Sequence, residues 1–311
     1  PKEISILFEA FGKHLVLEPY LETILLGGGA LSFGPEDIRR QYLPAIIAGD
    51  LQCAFAHHEP NHTAERYYVG TTALQSKDSW QLNGVKSIVS NAPQSGLLVL
   101  TARIKGRKHD SDGIGLFVVD KNVRGVHCDD YLTIDGRRAS EITLNEVEVE
   151  RGALLTVDAV QLDTLLDRAC FAVCAEAVGA MSALISMTID YCQQRKQFGQ
   201  SIGSFQALQH RMVDMYIASE LSHSLLIATT NAIANASDDR HRLLAALKFR
   251  VDRSAREISY GAIQMHGGIA MTDEFKVGHY FKRLTVISKQ FGNANFQLER
   301  YRHYNVHNNH S

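Results

Sequence analysis

The sequence predicts an α+β chain in three parts: short helices, then a central antiparallel β-domain, then a C-terminal four-helix bundle. Three observations carry this. All six prolines lie at or before Pro93. Alternating β-branched and apolar runs crowd into residues 51–152, punctuated by Asn-Gly, Asp-Gly and Gly. From residue 153 onwards the apolar period becomes helical and proline is absent.

Residues 1–50 make the helical start. "PKEISILFEAFGKHLVLEPYLET" opens in mid-helix pattern without an initiating Met, and it reads as a chain lacking an N-terminal piece. "GPEDIRRQYLPAIIAGD" places acidic residues in the first turn of a helix, where the macrodipole favours them. In residues 51–152, the runs "SWQLNGVKSIVSNA", "GLLVLTARI", "GIGLFVVD" and "SEITLNEVEVE" read as strands. "LNGVKS" reads as a hairpin, because Asn-Gly suits a tight primed turn. Residues 153–305 make the bundle. Its first helix, over 157–194, is apolar on more than one face and so belongs inside. Phe205, Leu208, Met212 and Met215 form the inward stripe of the second. "HRLLAALKFRVDRSAREISYGAIQMHGG" is the third, stopped by Gly267-Gly268. The fourth starts at "TDEFKVGHYFKRLTVI" with Thr272 as its N-cap. Residues 306–311 are a polar tail.

The bulk numbers exclude several function classes. With 311 residues, 45% of them hydrophobic, the chain buries a real core in one large or two smaller domains. A formal net charge of −2 argues against nucleic acid as a partner. No uninterrupted run of about 18 apolar residues exists, which argues against a membrane span. The five cysteines, Cys53, Cys128, Cys170, Cys174 and Cys192, lack metal-ligand spacing and read as reduced core thiols of a cytoplasmic protein. No metal site is expected.

Three motifs then act together: "RKQFGQSIGSFQALQHRMVDM", "QMHGGIAMTDEFKVGHYFKRL", and "LNGVKSIVSNA" followed by "GRRAS". In order and over essentially the whole chain they resemble the acyl-CoA dehydrogenase family, whose first helices are absent here. The resemblance implies FAD held between two subunits and α,β-dehydrogenation of acyl-CoA thioesters, with an electron-transfer flavoprotein as acceptor. It implies that Arg195 reaches the pyrophosphate of a neighbouring chain's FAD, a charge-assisted contact suited to guanidinium. Gln197, Phe198, Ile202 and Gln206 match positions lining that site. Gln264, Gly267 and Gly268 match a Q-x-x-G-G element in which glycine admits the nucleotide closely. Ser90 matches the hydroxyl beside flavin N5.

Departures from the family fall on one side. The family base is a glutamate before a glycine, and here Phe291 precedes Gly292. The alternative base position is Ala169, followed by Cys170. Asp167 lies roughly on the opposite helix face, and Glu176 shares the face of Ala169 but sits deep in the apolar run, as a core partner for an arginine does. In the flavin loop "HHEPNHTAE", Glu59-Pro60 survive, His58 stands at the family threonine, Ala64 at its serine, and its glycines are gone. Ile88 replaces a tryptophan. The His57–His58 pair reads as structural. What a subunit gives its neighbour's FAD is kept; what it uses for its own is eroded. The expectation is therefore the small partner subunit of a heteromeric enzyme, similar to bacterial two-gene enzymes acting on steroid side-chain or pimeloyl-CoA thioesters. Its partner would be a homologous catalytic subunit. The rivals are a homo-oligomeric enzyme with a relocated base and a flavin-free scaffold or acyl-CoA-binding protein.

Overall fold

The Asn83-Gly84 pair does not turn the chain. In the computed structural model, which describes residues 1–62, 65–156 and 158–308, the strand Ser79–Ser90 runs straight through it. The reason is a bulge. The pairing of this strand with Arg138–Glu150 shifts register between Leu82 and Gly84, and the Asn83 side chain accepts the Glu146 N–H at 2.8 Å across the irregularity. Any Cβ at Gly84 would lie 2.6 Å from the Thr71 Cα. Glycine is there for close backbone approach, not for a hairpin.

That strand belongs to the unit formed by Leu17–Ala169. Its strands are β1 (Cys53–Ala56), β2 (Thr72–Gln75), β3 (Ser79–Ser90), β4 (Leu97–Arg103), β5 (Ile114–Asp120), β6 (Val126–Leu132), β7 (Arg138–Glu150) and β8 (Leu154–Thr156). All four expected runs are strands. The sheet order is β6-β7-β3-β2-β4-β5-β8, with β1 beside β4. The expected all-antiparallel sheet needs a correction, since β1 and β2 each pair with β4 in parallel. Trp80, Leu82, Leu98, Leu100, Phe117, Ile142 and Val147 fill one core, with the Trp80 and Phe117 rings edge to face at 5.4 Å. Before the sheet come a π-helix, Leu21–Gly28, running into α2 (Gly29–Leu31), and then α3 (Glu36–Ala48), whose first turn holds Glu36 and Asp37 as expected.

The second unit joins Pro1–Val16 to Cys170–Ser311. Packing thus divides the chain differently from composition, which grouped residues 1–50 together. The first helix, α1 (Lys2–His14), packs with the bundle because two glycines let it. A Cβ at Gly12 would run into the Glu176 carbonyl, and one at Gly179 into the Glu9 carbonyl, so the two helices cross at backbone contact. The bundle itself is α4 (Ala159–Gln194), α5 (Gln206–Ala234), α6 (Arg240–His266) and α7 (Lys276–Ile287). A fifth helix, α8 (Ala294–Asn308), lies against α6. It includes part of the expected polar tail; residues 309–311 lie outside the described residues. The N-cap expected at Thr272 is also displaced. Gly267–Met271 form a short 3₁₀ turn that Thr272 closes, and α7 starts only after Phe275.

One helix, α4, bears on the expectation of no membrane span. By length and composition it is apolar enough to cross a bilayer, with a mean hydropathy of 1.8 over its best window. Of that window, 78% is buried inside the protein, as an inner helix of a bundle is.

Candidate functional site

The motif "RKQFG" folds into a miniature hairpin on the end of α4. The Arg195 N–H still closes the last helical turn on the Tyr191 carbonyl at 2.8 Å. The chain then leaves as β9 (Lys196–Gln197), turns, and returns as β10 (Gln200–Ser201). Both turn residues have positive φ, Phe198 at 54° and Gly199 at 80°, the signature of a primed turn. Glycine adopts this freely; phenylalanine does so only under strain. Moreover, the Phe198 ring is 91% exposed. Its ring meets Phe205 edge-on with centroids 6.3 Å apart, a contact that leaves nearly all of this large apolar side chain in water.

The return strand is pinned from below. Ser201 Oγ donates to the Cys192 carbonyl at 3.1 Å, and the Ile202 N–H donates to the Arg195 carbonyl at 2.8 Å. Arg195, Gln197 and Gln206 are exposed, Ile202 half-buried. The fold brings the second motif to the first. Tyr191 stacks on His266 with ring centroids 4.4 Å apart, and Phe275 closes edge-on against Tyr191 at 6.1 Å. Directly after His266 come Gly267 and Gly268, both exposed, with open space where a Cβ would stand. Gln264 is exposed one turn earlier. Sequence reading missed the Tyr191–His266–Phe275 clamp; its only signal is aromatic residues next to each motif.

The two positions at which the resemblance leads one to expect a base are as apolar in three dimensions as in sequence. Ala169 is fully buried. Phe291 and Gly292 form a tight corner with φ of 55° and 91°, and the buried Gln297 amide clamps it by donating to the Phe291 carbonyl at 2.7 Å. Both candidate replacements are engaged. Asp167 Oδ1 accepts from Arg66 Nη2 at 2.8 Å, while Arg66 Nε meets Asp163 Oδ1 at 2.7 Å. Glu176, 2% exposed, receives Arg283 bidentately at 2.6 and 2.7 Å. Neither carboxylate stands ready to take a proton from a ligand.

The β-domain residues also resolve into structural roles. Glu59 accepts from the N–H groups of Gly70 and Thr71, the Thr71 hydroxyl, and the buried Lys86 ammonium at 2.7 Å. Lys86 donates on to Thr101 Oγ1 at 3.1 Å. His57 Nδ1 lies 3.1 Å from the same hydroxyl, and Nε2 is 3.0 Å from the Arg66 carbonyl. A carbonyl only accepts, so Nε2 carries the proton and the neutral ring accepts from Thr101. His57 is a relay in a buried network, not an acid or base for a substrate. In the loop that follows, Glu65 bridges His62 and His109 at 2.7 and 2.9 Å, and His62 stacks on Tyr68. Ala64, the residue at the family serine, lies outside the described residues. Ser90 opens onto a cleft of about 210 Å³ with Gln94 and Arg138. Ile88, at the tryptophan position, has φ of 52° and is half-exposed, a conformation rare for a β-branched residue. Among the described residues no cluster of His, Cys, Asp and Glu could hold a metal ion.

This network makes stability pH-dependent. Burial, then the neighbouring Lys86, pushes His58 down to about 4 from its ordinary 6.5. Burial holds His57 well below 6.5 too, helped by His58 and Lys86. Unfolded histidine takes up its proton near 6.5 while the folded ones resist, so stability falls as pH drops from 6.5 towards about 4. Glu59, held below its usual 4.5 by Lys86 against burial, adds its own loss as pH falls below about 4.5. Urea midpoints measured across the window should fall, and His58→Gln should flatten the slope. A flat profile in the wild type would remove this account of the pair.

Two family models match the chain: the acyl-CoA dehydrogenase C-terminal domain over residues 159–302 and the middle domain over residues 54–148. A 3-(aryl)acrylate reductase of Clostridium sporogenes is 28% identical over 279 residues, 88% of this chain and 74% of that protein. Among solved structures, a variant of the Tcur3481-Tcur3483 steroid ACAD superposes with a TM-score of 0.87 at 26% identity, covering 99% of this chain and 81% of that one. PigA with FAD and proline superposes with a TM-score of 0.88 at 23% identity, covering 96% and 80%.

Proposed function

The chain belongs to the acyl-CoA dehydrogenase family, and from that membership we propose that it is the partner subunit of a heteromeric dehydrogenase. The family is one of oxidoreductases whose cofactor is FAD, with which PigA was solved. The observation that carries the proposal is an asymmetry. The face built from Arg195, Phe198, Gln264 and Gly268 is exposed, shaped and held in place. Both base positions are apolar, and the two nearest carboxylates are held by arginines.

The residues present fit one half of an FAD site. Arg195 supplies a cation for a phosphate, Gln197, Gln206 and Gln264 supply amides, and the open glycines allow close backbone approach. When bound, the flavin accepts the hydride lost from the acyl β-carbon. This chain orients the nucleotide half, and the α-proton falls to a carboxylate on the other subunit. An unpartnered apolar face supports assembly: Val213, Tyr216, Ile217, Leu221 and Ile227 on α5 are each about half-exposed. The pairing named in the Tcur3481-Tcur3483 steroid ACAD supports a two-chain enzyme and a bulky acyl-CoA such as a steroid side chain. We place the enzyme in the cytoplasm, as a heterotetramer that hands its electrons to an electron-transfer flavoprotein.

The test uses the assembled complex. Arg195→Ala should weaken FAD retention by about 1.5–3 kcal/mol, the worth of a charge-assisted contact, and leave the fold intact. Flavin per complex is read after dilution and gel filtration. A mutant that keeps its flavin as the wild type does would end the role in trans.

A further inference from the structure

Helix α6 ends at His266, and the open glycines of the flavin face follow it directly. We propose that His266 is the positioning residue of that face, holding the turn into Gly267 and Gly268, and that it does so only as a neutral imidazole. The inference rests on the flavin-face reading above and adds to it a sensitivity to pH.

Contacts on every side fix the ring. Its Nδ1 lies 2.8 Å from the Ala262 carbonyl, one turn back along α6. A carbonyl only accepts, so Nδ1 carries the proton. Tyr191 stacks on the ring with the two planes 24° apart, and Phe275 closes in with centroids 5.5 Å apart. The Tyr191 hydroxyl also donates to the His266 carbonyl at 3.4 Å. Helix α4 therefore grips both the side chain and the main chain of the residue from which the turn leaves. Gly267 then stands at φ 64° and ψ −143°, backbone that a side chain would strain. Neither glycine has a side chain to pack, and the space where a Cβ would stand is open at both. Their direction is inherited from His266.

The other nitrogen makes the grip conditional. His266 is 4% exposed, and its buried Nε2 has no hydrogen-bond partner among the described residues. Protonation would turn that lone pair into an N–H without an acceptor and put a charge where water does not reach. The face of Tyr191 attracts a cation, but an unmet charged donor costs more at this depth. No ion pair offsets the cost. Asp190 and Arg195 of α4, Arg211 and Asp214 of α5, and Asp273, Glu274, Lys276 and His279 around the start of α7 are all exposed. Burial accordingly holds His266 below its ordinary 6.5, against the pull of the Ala262 carbonyl. A proton binds the loosened face more readily than the gripped one, so acidification below 6.5 favours release. Flavin needs the gripped face, and proton and flavin therefore oppose each other.

Two measurements test this. In the assembled complex, the FAD dissociation constant should rise about three- to tenfold between about pH 7.5 and about pH 5, with circular dichroism showing the complex folded at both. His266→Phe keeps a ring between Tyr191 and Phe275 but cannot take a proton. It should bring the ratio of the two constants close to one, whatever it does to either. A flat wild-type profile, or a variant as pH-sensitive as the wild type, overturns the proposal. The chain alone gives a readout that needs no flavin. The His266 ring-proton resonances, identified by their loss in His266→Phe, should titrate below the ordinary histidine range and carry the Tyr191 ring resonances with them. Titration in the ordinary range, or Tyr191 resonances that stay still, overturns the proposal and leaves the flavin site in trans standing. Flavin retained by Arg195→Ala at about pH 7.5 is the separate result that removes the flavin face, and with it this use of His266.

Discussion

Arg283→Met is expected to destabilise the helical unit by about 3–5 kcal/mol, the largest single effect we foresee for stability. Glu176 and Arg283 are 2% and 4% exposed, and their two contacts are 2.6 and 2.7 Å long. Removing the guanidinium leaves a carboxylate inside an apolar helix without its bidentate partner, and the desolvation cost is no longer offset. Removing both charges is a different matter. The double variant Glu176→Leu, Arg283→Met should recover most of the loss, because a buried pair often contributes little against well-packed apolar side chains. Urea midpoints for the single and double variants decide it. A single variant within about 0.5 kcal/mol of the wild type would show that this pair is not what seats α7 on α4.

The isolated chain should show no acyl-CoA dehydrogenase turnover. This effect is close to all-or-none, since general bases contribute about 10²–10⁴-fold and the proposed function gives this chain only half of a flavin site. The side chains of Phe291 and Ala169 cannot accept a proton, and the Arg66 and Arg283 contacts tie down the two nearest carboxylates. Flavin reduction under anaerobic conditions with a panel of acyl-CoA esters measures it, first with the chain alone and then with a homologous subunit added. Activity only in the mixture supports the partner reading. Robust activity in the chain alone, lost in Asp167→Asn, would replace it with a relocated base. Restored activity in Phe291→Glu alone would mean that the pocket was whole and lacked only its proton acceptor.

The candidate site was legible in sequence where its residues are local. Arg195 to Gln206 is one continuous stretch, and its Phe-Gly pair already asks for a turn. Gly267 and Gly268 end a helix where C-cap chemistry puts them. The Tyr191–His266 stack was not legible, because its members are 75 residues apart. Nor were the partners of the carboxylates. A buried glutamate implies a cation, but only packing chooses Arg283, 107 residues away, from the many arginines of the chain. The same limit explains the misread Asn83-Gly84. A primed turn and a bulge ask for the same dipeptide, and what separates them is Thr71 lying against the glycine.

By itself, the sequence determined the order of helices and strands, the inner position of α4, and the residue types at both base positions. These depend on periodicity and composition over short windows, where neighbours along the chain dominate the energy. Only the tertiary structure decided that α1 packs with the bundle, that β1 and β2 run parallel to β4, and which arginine holds which carboxylate. Each of these is a contact between segments far apart in the chain. Its energy comes from surface and charge removed from water together, and no single segment carries that information.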